Sequence, residues 1–145
     1  MPTLQKIEIN PIGLVKRSSP DENEKNRSLV SKIVLENEFA KGLNGIEEWS
    51  HVYVIFFMHE ISDKDKMLVH PGEGRNVGIF ATRAPIRPNP IGLTLVELMK
   101  REGNVLLVRG LDALNNTPVL DIKPYPDWEN GELLVVNDFR IPKWL

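Results

Sequence analysis

Two segments of this 145-residue chain gather the side chains best suited to gripping a ligand. The first is Thr82-Arg83-Ala84-Pro85-Ile86-Arg87-Pro88-Asn89-Pro90-Ile91-Gly92-Leu93. The second runs from Gly110 to Tyr125 and contains Asp112, Ala113, Leu114, Asn115, Asp121 and Lys123. Arginine presents a planar donor fork to carboxylates and phosphates. Aspartate accepts from amines and hydroxyls, and asparagine both accepts and donates. Three prolines within Pro85–Pro90 fix φ and remove donors, so the first segment is a stiff irregular loop, not a helix interior or a central strand. A loop already ordered by folding holds a ligand at low entropic cost. Taken singly, each segment also reads as a plain connection: a proline turn with solvated arginines, and an Asn-Asn-Thr-Pro turn.

Most other chemistries are excluded. Cysteine is absent, which removes disulfides, thiolate nucleophiles and Cys-based zinc sites together. His51, His59 and His70 have neither HxxxH spacing nor nearby carboxylate clusters, so no metal is expected. There is no P-loop, no GxGxxG after a strand and no GxSxG, and the alternating helices of a Rossmann-type methyltransferase are missing. No apolar run reaches membrane-spanning length and no secretory signal is visible, so a cytoplasmic protein is expected. The net charge of −2 rules out a uniformly basic nucleic-acid binder but not a basic patch. Arg75, Arg83, Arg87, Lys100 and Arg101 in fact face only Glu97 between Gly74 and Arg101.

The elements that must position these loops read as strands. Ile7 to Val15 is an apolar segment bent at Pro11 and Gly13, and Leu29–Leu35 alternates as a half-buried strand. His51–Met58 is almost wholly apolar, which suits a strand buried on both faces. Val77–Ala81 is a short strand after a loop at His70–Gly74. Ile91–Met99 and Asn104–Arg109 form a hairpin turning at Lys100–Gly103. Thr117–Ile122 and Leu133–Val136 complete the set, with helical turns at Ile46–Ser50 and from Ser62, while Arg17–Arg27 is a polar loop and a candidate lid. Seven or eight short strands, with 41% hydrophobic and 26% charged residues, predict one mainly β domain over residues 1–145, a sandwich or barrel.

Gly78–Leu93 (GIFATRAPIRPNPIGL) followed by Gly110–Tyr125 (GLDALNNTPVLDIKPY) closely resembles the TsaA-like family that includes the TrmO tRNA methyltransferases. Trp49–His59 resembles that family's Ser-His strand ending in histidine, and Pro11-Ile12-Gly13 resembles its opening motif. The resemblance spans about residues 7 to 125. It implies a compact single-domain antiparallel β-barrel that dimerises and binds S-adenosylmethionine near the subunit interface. It also implies methylation of the tRNA adenosine beside the anticodon, at the nitrogen bearing a threonylcarbamoyl group. Carried over by position, the cofactor contacts are His59, Glu60, Arg83, Leu93, Asp112, Ala113, Leu114 and Asn115. One departure stands out: bacterial members carry Pro-Arg-Gln in the first loop, where this chain reads Ser18–Arg27 without that tripeptide, and their C-terminal extension has no counterpart here.

On that resemblance Arg83 pairs the methionyl carboxylate, Asp112 accepts from the amino group or ribose hydroxyls, and Leu93 and Leu114 pack on adenine. The acceptor nitrogen is a weak nucleophile and needs its proton removed; Asp121, Tyr125 and His59 are the candidates, and Asp121 reads equally well as a structural partner of Lys123 or Arg87. Arg87, Asn89, Lys100, Arg101 and Lys123 are candidate RNA contacts, with Tyr125 or Trp128 available for base stacking. A non-catalytic S-adenosylmethionine sensor, a methyltransferase with another acceptor and a plain RNA-binding barrel remain as alternatives.

Overall fold

A computed structural model of the chain describes residues 2–17, 28–62, 66–72 and 75–145. Six strands close into a barrel: β1 (Gly13–Lys16), β2 (Val30–Leu35), β3 (His51–Phe57), β6 (Ile91–Glu102), β7 (Val105–Arg109) and β8 (Pro118–Pro124). Around the barrel their order is β1-β2-β7-β6-β3-β8, and β8 returns to β1. Every pairing is antiparallel. Two hairpins stand outside it, β4 (Leu68–Gly72) with β5 (Arg75–Gly78) and β9 (Trp128–Glu129) with β10 (Glu132–Leu133). The mainly β barrel with short helical turns expected from the sequence is therefore the observed fold.

Period-two alternation builds the core. Val15, Ile33, Val52, Val54, Val96, Leu106, Val108 and Val119 point inward and are essentially sealed from solvent, and Phe56 joins them. Closure leaves the sheet no open edge. It also brings β1 and β8, far apart in sequence, side by side, with Gly13 opposite Val119.

Several elements differ from the expected ones for identifiable reasons. β3 is not buried on both faces: Val52, Val54 and Phe56 are buried, whereas His51, Tyr53, Ile55 and Phe57 are half-buried. Its outer side chains are flanked by β6 and β8 and shielded locally, as where Tyr53 meets the edge of Tyr125 at 5.6 Å. The segment Ile7–Pro11 is not strand, and Ile7 and Ile9 are exposed; pairing begins only after Pro11, which has no N–H to give. His70 and Pro71, expected in a loop, lie in β4, and the strand expected at Val77–Ala81 is β5 followed by a 3-10 turn at Ile79–Ala81.

The β6–β7 hairpin turns at Gly103-Asn104, later than expected, because Gly103 supplies the φ of +61° that a two-residue connection demands. A seven-residue 3-10 stretch, Asn37–Leu43, was not anticipated; no side chain caps it and only Leu43 is buried. A 3-10 turn at Ile46–Glu48 takes the place of the helical turn expected there. Pairing near the C-terminus is confined to Trp128–Glu129 and Glu132–Leu133, turned by Asn130 and Gly131, both at positive φ; Leu134–Val136 continue exposed. The expected lid, apart from Arg17, and the helix start after Ser62 lie outside the described residues.

Candidate functional site

The site is assembled from the ends of barrel strands and the two loops singled out in the sequence. The proline loop leaves the Ile79–Ala81 turn and is braced from within. The Thr82 hydroxyl donates to the Ile79 carbonyl at 2.8 Å and accepts from the Ala84 amide at 3.2 Å. The Arg87 guanidinium donates to the carbonyls of Ala84 (2.7 Å) and Thr82 (3.2 Å). Pro90, fully buried, gives its carbonyl to the Met58 amide, which ties the loop to the end of β3. Arg83 donates to the Leu93 carbonyl at the start of β6, so its guanidinium is held beside that strand.

The second loop, Leu111–Thr117, is anchored at both ends. Leu111, Ala113 and Thr117 are buried. The Thr117 hydroxyl donates to the Leu114 carbonyl at 2.6 Å, and Asn116 takes a φ of +67° that asparagine tolerates. β1 supplies the remaining supports: the Asn116 amide donates to the Val15 carbonyl, and the Val15 amide donates to the Thr117 carbonyl. Arg17 donates from its side chain to the Ala113 carbonyl (2.7 Å) and from its backbone to Asn115 Oδ1 (2.9 Å). Inside the barrel end, the Thr94 hydroxyl donates to Asp112 Oδ1.

Between these loops lies a cavity of about 790 Å³. Its lining includes His59, Glu60, Arg83, Leu93, Asp112, Ala113 and Leu114, together with Phe56, Met58, Thr82, Pro85, Arg87, Gly92 and Thr94. Arg83 and Asp112, separated by a full hairpin in sequence, thus face one space. Asn115 is not in the lining; its side chain is engaged by Arg17. Gly92 matters for the shape of the floor, since a Cβ there would sit 2.4 Å from the Phe56 ring. His59 Nε2 lies 3.8 Å from Glu60 Oε1 at the rim, where Glu60 is mostly exposed.

The other candidates fall elsewhere. Asp121 pairs Lys123 at 2.9 Å, accepts from the Ile122 amide, and lines a separate groove of about 520 Å³ with Phe39, Ile46 and Trp49. Tyr125 packs on Tyr53, and Trp128 stacks on Trp49 at 5.3 Å. Among the three candidate proton acceptors, His59 alone lines the cavity. Asn89 is exposed on the proline loop, and Lys100 pairs Glu102 at 2.6 Å.

Arg101, a candidate phosphate contact, is instead a brace. Its guanidinium donates to the carbonyls of Gly103 and Ala40, to Asn44 Oδ1 and to Glu47 at 3.3 Å, and its side chain is only 17% exposed. The Glu47 carboxyl is held below the ordinary carboxylate range, first by its own backbone amide and then by this arginine. Arg101→Ala is therefore expected to cost about 1–2 kcal/mol in urea denaturation, since it strands acceptors on the 3-10 segment. Unchanged stability would return Arg101 to the list of free surface cations.

Sequence reasoning passed over Thr94, Met58, Phe56 and Arg17. Thr94 was legible in principle, as the one hydroxyl in the inward row Thr94, Val96, Leu98 of β6. Arg17 reads as the start of a polar loop and candidate lid, and nothing local marks it as the support of a segment almost a hundred residues away. Among the described residues no three His, Asp or Glu side chains come together as metal ligands, and no helix is long and apolar enough to cross a membrane.

The chain is similar to several known proteins. It is 43% identical over 122 residues to an S-adenosyl-L-methionine-binding protein of Archaeoglobus fulgidus, covering 81% of this chain and 88% of that one. It is 46% identical over 92 residues to a human tRNA (adenine(37)-N6)-methyltransferase, but spans only 21% of that protein's length. The crystal structure of TrmO from Pseudomonas aeruginosa superposes with a TM-score of 0.70 at 31% identity, covering 94% of this chain and 62% of that one. The model of the tRNA-methyltransferase O N-terminal domain matches residues 14–128, a stretch that contains every strand from β2 to β8 and both loops that line the cavity. On that match, the chain belongs to the TrmO N-terminal domain family.

Proposed function

We propose that this protein binds S-adenosylmethionine in the 790 Å³ cavity and transfers its methyl group to tRNA, at the N6 nitrogen of the threonylcarbamoyl-adenosine beside the anticodon. The observation that carries the reading is the convergence of Arg83 and Asp112 on one cavity whose apolar walls include Leu93, Leu114 and Phe56. Its volume falls in the range of about 300–1,000 Å³ usual for small-ligand sites. Its donor set fits the group: a guanidinium for a carboxylate, a carboxylate for an amine or ribose hydroxyls, and aliphatic side chains for an adenine face. When bound, S-adenosylmethionine supplies an electrophilic methyl group on a sulfonium.

In this reading Arg83 anchors the carboxylate end, and Asp112 accepts from the amino group or ribose. Leu93 and Leu114 exclude water from the adenine, while His59 and Glu60 close the rim. Backbone groups of Ala113 complete the contacts, and Asn115 holds the loop through Arg17. His59, as the candidate acceptor within the cavity, removes the proton of the carbamoylated nitrogen. Asn89 and Arg87 on the proline loop, with the exposed cations Lys100 and Lys123, meet the phosphates of the anticodon stem-loop.

A homodimer in the cytoplasm belongs to the same reading. Leu133, Val135, Val136, Phe139 and Ile141 are all more than half exposed, and such a run of apolar side chains favours cover by a second copy. The Archaeoglobus fulgidus relative, named as an S-adenosyl-L-methionine-binding protein, supports a second reading, a binding module without transfer.

The test is incubation with methyl-labelled S-adenosylmethionine and tRNA prepared with and without the threonylcarbamoyl group. Label confined to the modified tRNA is the expected result. Cofactor binding without label on any tRNA would assign the protein to the binding-module reading instead.

A further inference from the structure

We propose that Thr94 is a positioning residue for the ligand-binding carboxylate of Asp112, an inference that rests on the reading of the cavity given above. Thr94 lies in the inward row of β6, where its neighbours on that row are Val96 and Leu98, and it is 5% exposed. Valine has nearly the same shape and would suit this apolar row, so the hydroxyl at position 94 calls for a partner. That partner is Asp112 Oδ1, to which the Thr94 hydroxyl donates.

Among the described residues Thr94 is the one hydrogen-bond partner of the Asp112 side chain. An ionised carboxylate accepts at about four lone-pair sites. One hydroxyl therefore fixes the rotamer and leaves the remaining capacity to a ligand amine or diol. Asp112 sits on a loop, and loop carboxylates lose freedom when they bind; Thr94, on a barrel strand locked between β3 and β7, removes that freedom beforehand.

The experiment is calorimetric titration of the intact protein with S-adenosylmethionine for Thr94→Val, Thr94→Ser, Asp112→Ala and the double variant Thr94→Val/Asp112→Ala, with thermal unfolding of each ligand-free variant alongside. Thr94→Val is expected to raise Kd about tenfold, in line with one hydrogen bond to a charged group, and Thr94→Ser to restore it to within about twofold. In the Asp112→Ala background, Thr94→Val is expected to change Kd no further. That coupling is a readout a merely structural threonine does not move, and it stays interpretable if Thr94→Val also lowers the melting temperature. Independent, additive losses in the double variant would overturn the positioning role. So would wild-type affinity in Thr94→Val together with weakened Asp112→Ala. Wild-type affinity in Asp112→Ala itself would instead strike the reading of the cavity, which keeps the two failures apart.

Discussion

Arg83→Ala is expected to weaken S-adenosylmethionine binding about 100-fold in calorimetry, while the ligand-free protein unfolds within a few degrees of the parent. Losing a charge-assisted pair costs about 3 kcal/mol for two hydrogen bonds to a carboxylate. Stability is spared because of where Arg83 sits. Its side chain is exposed and donates to the Leu93 carbonyl, but the shape of the proline loop is held by Arg87, Thr82 and Pro90. Removing Arg83 leaves those bonds in place. Arg83→Lys should recover only part of the affinity, because an ammonium keeps the charge and loses the fork. Calorimetry showing wild-type Kd for Arg83→Ala would take the carboxylate anchor away from this residue and leave the cavity without its principal cation.

What was legible in the sequence, and what was not, divides along the range of the interactions. The barrel strand β2 shows in period-two alternation, β3 in a continuous apolar run and β7 as one arm of a hairpin, all of them local signals that survive closure. The proline loop was legible as stiff for an equally local reason, fixed φ, and the structure adds that Arg87, Thr82 and Pro90 stiffen it further. Errors arise where a long-range partner decides. β3 is as apolar as a two-sided buried strand, yet its outer row is only half-buried, flanked by β6 and β8 and met at Tyr53 by Tyr125. Arg101 sits near a hairpin tip like any solvated cation, yet it spans to the Asn37–Leu43 and Ile46–Glu48 segments, whose 3-10 form has no capping signature of its own. Asp112 and Asp121 belong to one motif, but Asp112 lies in the loop, where Thr94 donates to it at the cavity, while Asp121 lies in the middle of β8 beside the bulge against β3 and pairs Lys123. The convergence of the two cavity-lining loops came from resemblance, since no spacing rule brings residues 83 and 112 together.

Gly13→Ala is expected to cost about 3 kcal/mol and to lower the melting temperature by roughly 6–12 °C at this chain length. A Cβ at position 13 would lie 2.3 Å from the Val34 carbonyl oxygen and 2.8 Å from the Leu35 Cα. Both are backbone atoms of β2, so no side chain can swing away. β1 would have to retreat from β2, and it is the strand that closes the barrel against β8. β1 and the residue that follows it carry the supports of the Leu111–Thr117 loop, through Val15 to Asn116 and Thr117 and through Arg17 to Ala113 and Asn115. Loss of closure should therefore reach Asp112 and its neighbours. Saturation at 100 times Kd stabilises a native state by about 2.7 kcal/mol. At one fixed S-adenosylmethionine concentration, the parent should gain more melting temperature than Gly13→Ala does, because the variant binds less tightly. Arg83→Ala should show the opposite profile, with its ligand-free melting temperature kept and its ligand-induced rise nearly lost. If Gly13→Ala melts with the parent, the close approach of β1 to β2 is not what holds the seam shut.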